Sequence, residues 1–297
     1  MRVYQVNRSC RNLRTTSMIT RIILKVGTAF ILSSPGSLFA QEKEPSKEPP
    51  PGSPAAEMLN LAKASQNPVA DMNTVPIQFN WYTGGAFGNQ TMSQTLIQPV
   101  LPFPINKDWN VVSRTVVPVV SLPTPDGKLS GIADIQEQLY FSPKNSKGLI
   151  WGFGPIFSLP TSTVAPIATG QFAAGPTGVL LATPGRLVFG IIMNQLWRIG
   201  GSNSTTPINQ FYTQPFINYN LKLGWSFSFA PVITSNWSAP SGQQWTVPIG
   251  AGISKIALIG KQPFNFSAQY YHNMVRPDNA GADQVRMVVA FLFPKTM

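Results

Sequence analysis

From Trp81 to Phe293, apolar and aromatic residues alternate with small or polar residues in about a dozen segments of roughly ten to fifteen residues. The clearest segment is Pro263–Val275, with Phe264, Phe266, Ala268 and Tyr270 on one parity and Asn265, Ser267, Gln269 and Asn273 on the other. A strand of this length with one apolar and one polar side suits a sheet with lipid outside and water inside. The pattern therefore predicts an all-β fold, a transmembrane antiparallel β-barrel.

The alternation predicts twelve strands, an even number, as single-chain bacterial barrels have. The predicted strands are 76–87, 91–103, 109–120, 131–142, 148–160, 170–183, 186–199, 206–220, 224–237, 244–258, 262–275 and 283–293. Alternate connections are mostly long and rich in Gly, Pro, Ser, Asn and Asp: 122–130, 161–169, 200–205, 238–243 and 276–282. The remaining connections are mostly tight, although 88–90 is a short exception among the long class. Long outer loops and short periplasmic turns have this asymmetry.

Tryptophans and lysines support the same orientation. Trp109, Trp151 and Trp225 fall at the predicted periplasmic side, and Trp197, Trp237 and Trp245 at the outer side. Two such groups are typical of interfacial aromatic girdles. Five lysines lie in the predicted periplasmic turns: Lys107, Lys144, Lys147, Lys222 and Lys261. They predict either contact with anionic lipid headgroups of the outer membrane or ordinary solvated turns.

Prolines recur about once in each predicted strand, and they argue against regular pairing because proline donates no ladder hydrogen bond. Examples are Pro99, Pro118, Pro155, Pro176, Pro215, Pro231 and Pro248. A β-bulge at each proline would leave one residue unpaired and bend the strand. We therefore expect strands with bends or bulges rather than a change of fold class.

The N-terminal part divides into three segments before the barrel. Residues 1–40 combine six basic residues, an apolar stretch and a small-residue end, which predicts a secretory signal peptide cleaved after Ala40. Residues 41–54 are charged and proline-rich and predict a disordered or extended tether. Residues 55–74 predict a short helix with a lead-in, which would plug the barrel, cap it or form a linker. The barrel itself is predicted over residues 75–297.

Composition changes once the predicted signal peptide is removed. Loss of its six bases lowers the net charge from +11 to +5, so the basic balance gives no reason to expect a nucleic-acid partner. The single cysteine, Cys10, is removed as well, which leaves a chain without disulfides. Charged residues make up 11% of the sequence, against about 25% in soluble domains, as expected for strands that face lipid.

Strand parity also predicts which side chains point into the barrel. The candidate lumen-lining residues are Arg114, Asp134, Gln136, Gln138, Asn194, Arg198, Gln210, Gln214, Asn218, Thr234, Asn236, Gln269, Asn273 and Arg286. Such a lining would pass or bind small polar or amphipathic solutes, and its arginines would favour anions locally. The competing interpretation is that Arg114, Asp134 and Arg286 neutralise one another inside a narrow barrel.

The sequence offers little for catalysis. The sole histidine, His272, shares the parity of Phe264 and Phe266, and no serine is adjacent to it. This context predicts that His272 is an interfacial side chain rather than a catalytic base. No cluster has metal-ligand spacing and no glycine-rich phosphate loop is present, so we predict no cofactor, no metal and no enzymatic activity.

Several stretches carry a family resemblance: residues 67–71, 108–110, 141–144, 151–155, 209–220, 245–248, 260–263 and 293–295. With these motifs the chain resembles a widespread bacterial outer-membrane family of transporters, and is similar to barrel proteins associated with phenol-type degradation pathways. The resemblance implies an outer-membrane barrel that passes hydrophobic or aromatic solutes, and it carries no established functional residues. Phe291 and Phe293 precede a Pro294–Met297 tail, so we expect the barrel-assembly machinery to recognise an internal signal.

These observations predict a twelve-stranded outer-membrane barrel that acts as a passive channel or transporter for an unidentified small molecule. Diffusion through the lumen, or transient binding in it, would be gated by the outer loops or the N-terminal helix. The alternatives are an outer-membrane lipid-modifying enzyme and a structural barrel with a filled, non-conducting lumen.

Overall fold

A computed structural model describes residues 48–85, 90–125, 127–146, 148–164, 167–203 and 206–294. The predicted signal peptide and residues 41–47 of the predicted tether lie outside this part of the chain. All the described residues belong to one compact unit.

The described part of the chain contains one α-helix, one short 3-10 turn and fifteen strand segments. The helix α1 is Pro54–Ser65 and the 3-10 turn is Lys222–Gly224. The strands are β1 (Asn73–Thr83), β2 (Met92–Ile97), β3 (Val100–Pro104), β4 (Trp109–Thr124), β5 (Gly127–Ile132), β6 (Ile135–Pro143), β7 (Leu149–Leu159), β8 (Gln171–Ala182), β9 (Leu187–Gly201), β10 (Asn209–Asn220), β11 (Trp225–Phe229), β12 (Ile233–Asn236), β13 (Trp245–Ile259), β14 (Gln262–Val275) and β15 (Asp283–Phe293). The short N-terminal helix and the all-β class are both confirmed.

The strands form one closed antiparallel barrel. Apart from three pairs of short segments described next, each strand pairs with its neighbours in sequence, and β1 pairs with β15 to close the sheet. The segments β2 and β3 share the neighbours β1 and β4, and β11 and β12 share β10 and β13. Likewise β5 and β6 both pair with β4. Since each of these three pairs of segments is one interrupted strand, the barrel has the twelve strands that the sequence predicts.

The prediction of an outer loop over residues 122–130 is wrong. The strands β4 and β5 continue through it as a hairpin, with Leu122 opposite Leu129 and Thr124 opposite Gly127. Gly127 has a φ of 134°, a conformation that favours glycine and lets the chain reverse within a few residues.

The prolines interrupt pairing in more than one way. A register shift of the expected kind occurs between Val247 and Pro248. At Pro99 and Pro231 pairing instead stops and resumes in the same register on the far side. Irregular pairing therefore occurs as expected, but not always as a bulge, because a short gap in the ladder also accommodates a residue that lacks an N–H group.

The outer surface of the barrel is apolar and aromatic. Phe153, Phe227 and Ile249 are all more than half exposed there, on the parity opposite to the buried positions. An apolar surface of this extent needs lipid around it. Trp109 packs edge-on against Trp151 at one end of the barrel, and Trp237 does so against Trp245 at the other.

None of the described helices is long and apolar enough to span a membrane.

Candidate functional site: the barrel lumen

The lumen has two ends, which the connections distinguish. We call the end that carries the Lys222–Gly224 turn the turn end, and the end that carries the β4–β5 hairpin the loop end. Strands β4 and β10 run in opposite directions between them: β4 starts at the turn end with Trp109, and β10 finishes there with Asn220.

Helix α1 begins and ends where its sequence allows. The Ser53 hydroxyl accepts a hydrogen bond from the Ala56 N–H at 3.2 Å, and Pro54 occupies the first helical position, where its missing donor costs nothing. The helix ends before Asn67-Pro68, because the residue before a proline disfavours helical backbone. Ala56, Leu59 and Ala62 form its buried face.

The buried face of α1 packs on the inner wall of the barrel near the turn end. Ala62 belongs to one apolar cluster with Ile256 and Leu292 of the wall and with Met72 of the following segment. Polar contacts add to this packing: Gln66 Nε2 donates to Asn220 Oδ1 at 3.0 Å, and Asn265 Nδ2 donates to Ser65 Oγ at 3.1 Å. The helix is therefore held by side-chain contacts to β13, β14 and β15, and Gln66 just after it adds a contact to β10.

The segment after α1 fills the turn half of the lumen. Val69 is 6% exposed and belongs to an apolar cluster built by inward side chains of six strand segments. The other members are Val100, Val112, Tyr140, Val179, Leu181, Val188, Ile192 and Phe216. This part of the lumen is thus packed like a protein core rather than filled with water.

Towards the loop end the lumen opens into a cavity of about 960 Å³. Its lining is dominated by amides and apolar side chains, among them Gln78, Gln94, Gln98, Gln136, Gln138, Gln214, Gln284, Leu96, Val116, Pro118 and Leu122. A second cavity of about 640 Å³ adjoins it and shares Gln136, Asn194, Tyr212 and Thr234 with it. Together they form one polar and apolar space that a small solute could occupy.

Two arginines line the larger cavity. Arg114 donates from Nη1 to Gln138 Oε1 at 3.3 Å and from Nη2 to Gln98 Oε1 at 2.5 Å. Arg286 donates from Nη1 to Ala230 O at 3.1 Å and to Gln269 Oε1 at 3.2 Å.

Neither arginine pairs with a carboxylate among the residues that the structure describes. Asp134 instead accepts hydrogen bonds from Ser162 N–H and Thr169 Oγ1 in the loop between β7 and β8. The interpretation in which Arg114, Asp134 and Arg286 neutralise one another is therefore wrong.

The structure divides the predicted lumen residues into several groups. Those that line the larger cavity are Arg114, Gln136, Gln138, Asn194, Gln214, Thr234, Asn273 and Arg286, and those that line the smaller one include Gln210 and Asn236. Gln269 lies on the inner wall and links Arg286 to Ser228. Asn218 is buried in the filled turn half, at 7% exposure.

Two predicted lumen residues line neither cavity. Asp134 bonds to the loop that follows β7, which itself contributes Ile167 to the lining of the larger cavity. Arg198 donates to Gly201 O and Asn203 Oδ1 near the end of β9. It keeps the inward parity of its strand, between the exposed Trp197 and Ile199.

Several cavity residues escaped the sequence prediction. Tyr82, Gln94 and Gln284 lie at inward positions of β1, β2 and β15. Their signal was present, because Gln78, Asn80 and Tyr82 occupy one parity of the first strand.

His272 lies outside the lumen, on the outward parity near the loop end. Its Nδ1 is 2.8 Å from Asp283 Oδ1, which also accepts a hydrogen bond from the Tyr270 hydroxyl at 2.6 Å. Among the described residues no serine completes this pair, and no group of three His, Cys, Asp or Glu side chains could hold a metal ion. The arrangement orients a rim histidine without supplying a nucleophile.

Comparison with known proteins supports the architecture. No protein-family model and no curated protein sequence matches the chain. Among solved structures, an outer membrane channel from Pseudomonas putida F1 is similar with a TM-score of 0.56 and 10% identity, over 75% of this chain and 96% of that one. The NanC porin is similar with a TM-score of 0.50 and 10% identity, over 74% of this chain and 100% of that one. At this identity the likeness concerns the fold, and the chain shares the closed β-barrel architecture of these outer-membrane proteins.

Proposed function

We propose that the protein is an outer-membrane channel, without enzymatic activity, that passes small molecules through its lumen. The observation that carries this proposal is the cavity of about 960 Å³ with a mixed lining, enclosed by a barrel whose outer surface is apolar. Cavities of this size bury most of a small organic solute. The signal peptide predicted over residues 1–40 would deliver the chain to the envelope, with the turn end in the periplasm and the loop end outside.

The solutes would be small and amphipathic, including hydrophobic or aromatic compounds. Amide side chains offer hydrogen bonds to polar groups, while Leu96, Val116 and Leu122 offer apolar contact in the same cavity. A purely aqueous pore would not need the apolar side chains, and a purely apolar tunnel would not need the amides.

The N-terminal segment 54–72 is the proposed gate. Val69 and its cluster fill the turn half of the lumen, so a solute in the cavity reaches the periplasm only after this segment moves. Its contacts are few compared with a strand: one apolar cluster around Ala62, one around Val69, and the side-chain hydrogen bonds of Ser65 and Gln66. Elements that move in gating belong to the less stable part of a fold.

Planar-bilayer recording tests the channel directly. The mature chain should show small or rare openings, and a chain that lacks residues 41–72 should show larger and longer ones, because the apolar cluster loses its central side chain. Altered gel mobility after heating, which folded barrels show, serves as the control for folding. Absence of conductance and of solute flux into liposomes in both folded proteins would contradict the proposal and favour a structural barrel.

A further inference from the structure

The larger cavity carries positive charge without a carboxylate in its own lining, whereas Asp278 lines the adjoining cavity and accepts a hydrogen bond from Gln243 Nε2 at 3.0 Å. Arg114 and Arg286 are its only charged residues among the described residues of its lining, and they bond to amide and carbonyl oxygens. A neutral oxygen satisfies a guanidinium N–H but leaves the charge uncompensated. The cavity therefore favours a solute with a negative group.

Arg286 is the more deeply buried of the two arginines. It is 3% exposed, its guanidinium lies 4.7 Å from the ring centroid of Tyr271, and its buried Nε has no hydrogen-bond partner. A buried charge without a counter-charge is costly, and an anion held in the cavity that Arg286 lines would stabilise it.

The two arginines act on one region of the cavity. Arg114, Arg286 and Tyr212 all line the larger cavity. The Tyr212 hydroxyl donates to Gln214 Oε1 at 2.8 Å, so a polar group held here would meet further hydrogen-bonding partners. This region, formed by Arg114, Arg286 and Tyr212, is called the arginine pocket below.

An apolar strip begins beside the arginine pocket. Along β4, Arg114, Val116 and Pro118 follow one another on the inner face, about 7 Å apart as every second residue of a strand is. Leu96 of β2 lies opposite Pro118, and Leu122 continues the line towards the loop end. An elongated solute could thus hold its charged end at Arg114 and lay its apolar body along β2 and β4.

We propose that the cavity binds small amphipathic carboxylates, with the carboxylate in the arginine pocket and an alkyl or aryl body on the apolar strip. The inference deepens the proposed channel function and rests on it for its physiological meaning, since the same cavity would select the solute. Binding itself requires only access from the loop end, where the two cavities adjoin.

Isothermal titration calorimetry on the full mature chain in a non-ionic detergent tests the inference. The probes are 4-phenylbutyrate, its neutral counterpart 4-phenylbutanol and its cationic counterpart 4-phenylbutylamine. We expect the carboxylate to bind at least about tenfold more tightly than the alcohol, since charge-assisted hydrogen bonds are the stronger ones, and the amine to bind weakest.

Variants locate the site. Arg114→Gln should weaken carboxylate binding about tenfold and leave alcohol binding unchanged, whereas Arg114→Lys should retain much of the preference because it keeps the charge. Arg198→Gln is the matched control, because Arg198 bonds to the β9–β10 loop outside both cavities. Arg286→Gln should act like Arg114→Gln. Should that variant not fold, the Arg114 series alone decides.

The outcomes separate this inference from the channel proposal. Equal affinity for carboxylate and alcohol, or carboxylate binding that Arg114→Gln does not weaken, would overturn the inference. Preferential carboxylate binding without conductance would uphold the binding site and count against the channel. Conductance with no carboxylate preference would support the channel and contradict the carboxylate site.

Discussion

Glu137 shows how much a single residue depends on its neighbours in this barrel. Gln136 and Gln138 on either side of it line the cavity, so Glu137 points outward among apolar side chains. Its carboxylate accepts hydrogen bonds of 2.6 Å from Ser113 Oγ and from Thr115 Oγ1 on β4. Ionisable groups on a lipid-facing surface are rare, and these two hydroxyls stabilise the group where water is scarce.

Removal of both hydroxyls should destabilise the barrel. In a Ser113→Ala, Thr115→Val double variant the carboxylate loses its partners, and we expect the free energy of unfolding to fall by about 1–3 kcal/mol. Denaturant unfolding in lipid vesicles measures the change. Adding Glu137→Leu to the double variant should restore most of the loss, and an unchanged unfolding midpoint in the double variant would show that the contacts contribute nothing.

At the residue scale, parity predicts direction but not partners. It placed Arg114, Gln138 and Arg286 inside, where the structure has them, because every second residue of a strand shares a face. It could not show that Arg114 meets Gln138 and Gln98, since those contacts depend on the register between paired strands. The absence of a carboxylate beside either arginine follows from the same register.

At the scale of elements, glycine and proline act together where strands approach closely. Gly154 and Gly175 precede Pro155 and Pro176, which face each other across β7 and β8. A Cβ atom on Gly175 would lie 1.8 Å from the Gln195 carbonyl oxygen, and one on Gly154 would lie 1.9 Å from that of Leu139. The β6–β7 ladder is interrupted at Pro155 and the β8–β9 ladder at Pro176, and there the carbonyl of the neighbouring strand occupies the space that a side chain would need.

Gly175→Ala should therefore disturb the barrel, whereas Gly178→Ala on the same strand should not. The nearest atom to a Cβ on Gly178 is the Gly152 carbonyl oxygen at 3.8 Å, an ordinary contact. We expect Gly175→Ala to lower the free energy of unfolding by about 1–3 kcal/mol, as overpacking does, and Gly178→Ala to change it little. Equal unfolding midpoints for the two variants would contradict the close approach.

The elements were predictable to the extent that they follow local pattern. Most predicted strands match the observed ones within a few residues; β14 matches at both ends because its alternation is unbroken. The β4–β5 hairpin was missed because Pro123 and Gly127 are typical of loops, although both residues are paired in the hairpin. The start of α1 follows from Ser53 and Pro54, but its docking surface on β13, β14 and β15 does not follow from local sequence.

For the molecule as a whole, the alternation predicted a closed barrel with a polar interior, and it left open whether the N-terminal segment plugs the barrel, caps it or forms a linker. Val112, Val179 and Val188 face inward, against the simple rule of a polar lumen, and Val69 packs among them. They make sense only once residues 67–72 are known to enter the barrel. The proposed gate therefore depends on one arrangement, in which the N-terminal segment closes the path between cavity and periplasm.

Cross-linking this segment to the barrel wall tests whether it is the gate. The mature chain is expected to lack cysteine, so Ser65→Cys and Asn265→Cys, whose native side-chain atoms are 3.1 Å apart, can be joined by a short reducible bis-methanethiosulfonate reagent. Single-cysteine variants treated with the same reagent are the controls. In planar bilayers we predict that the cross-link abolishes openings and that reduction restores them, while the controls conduct throughout. Openings of unchanged size and frequency in the fully cross-linked protein would contradict the proposed gate.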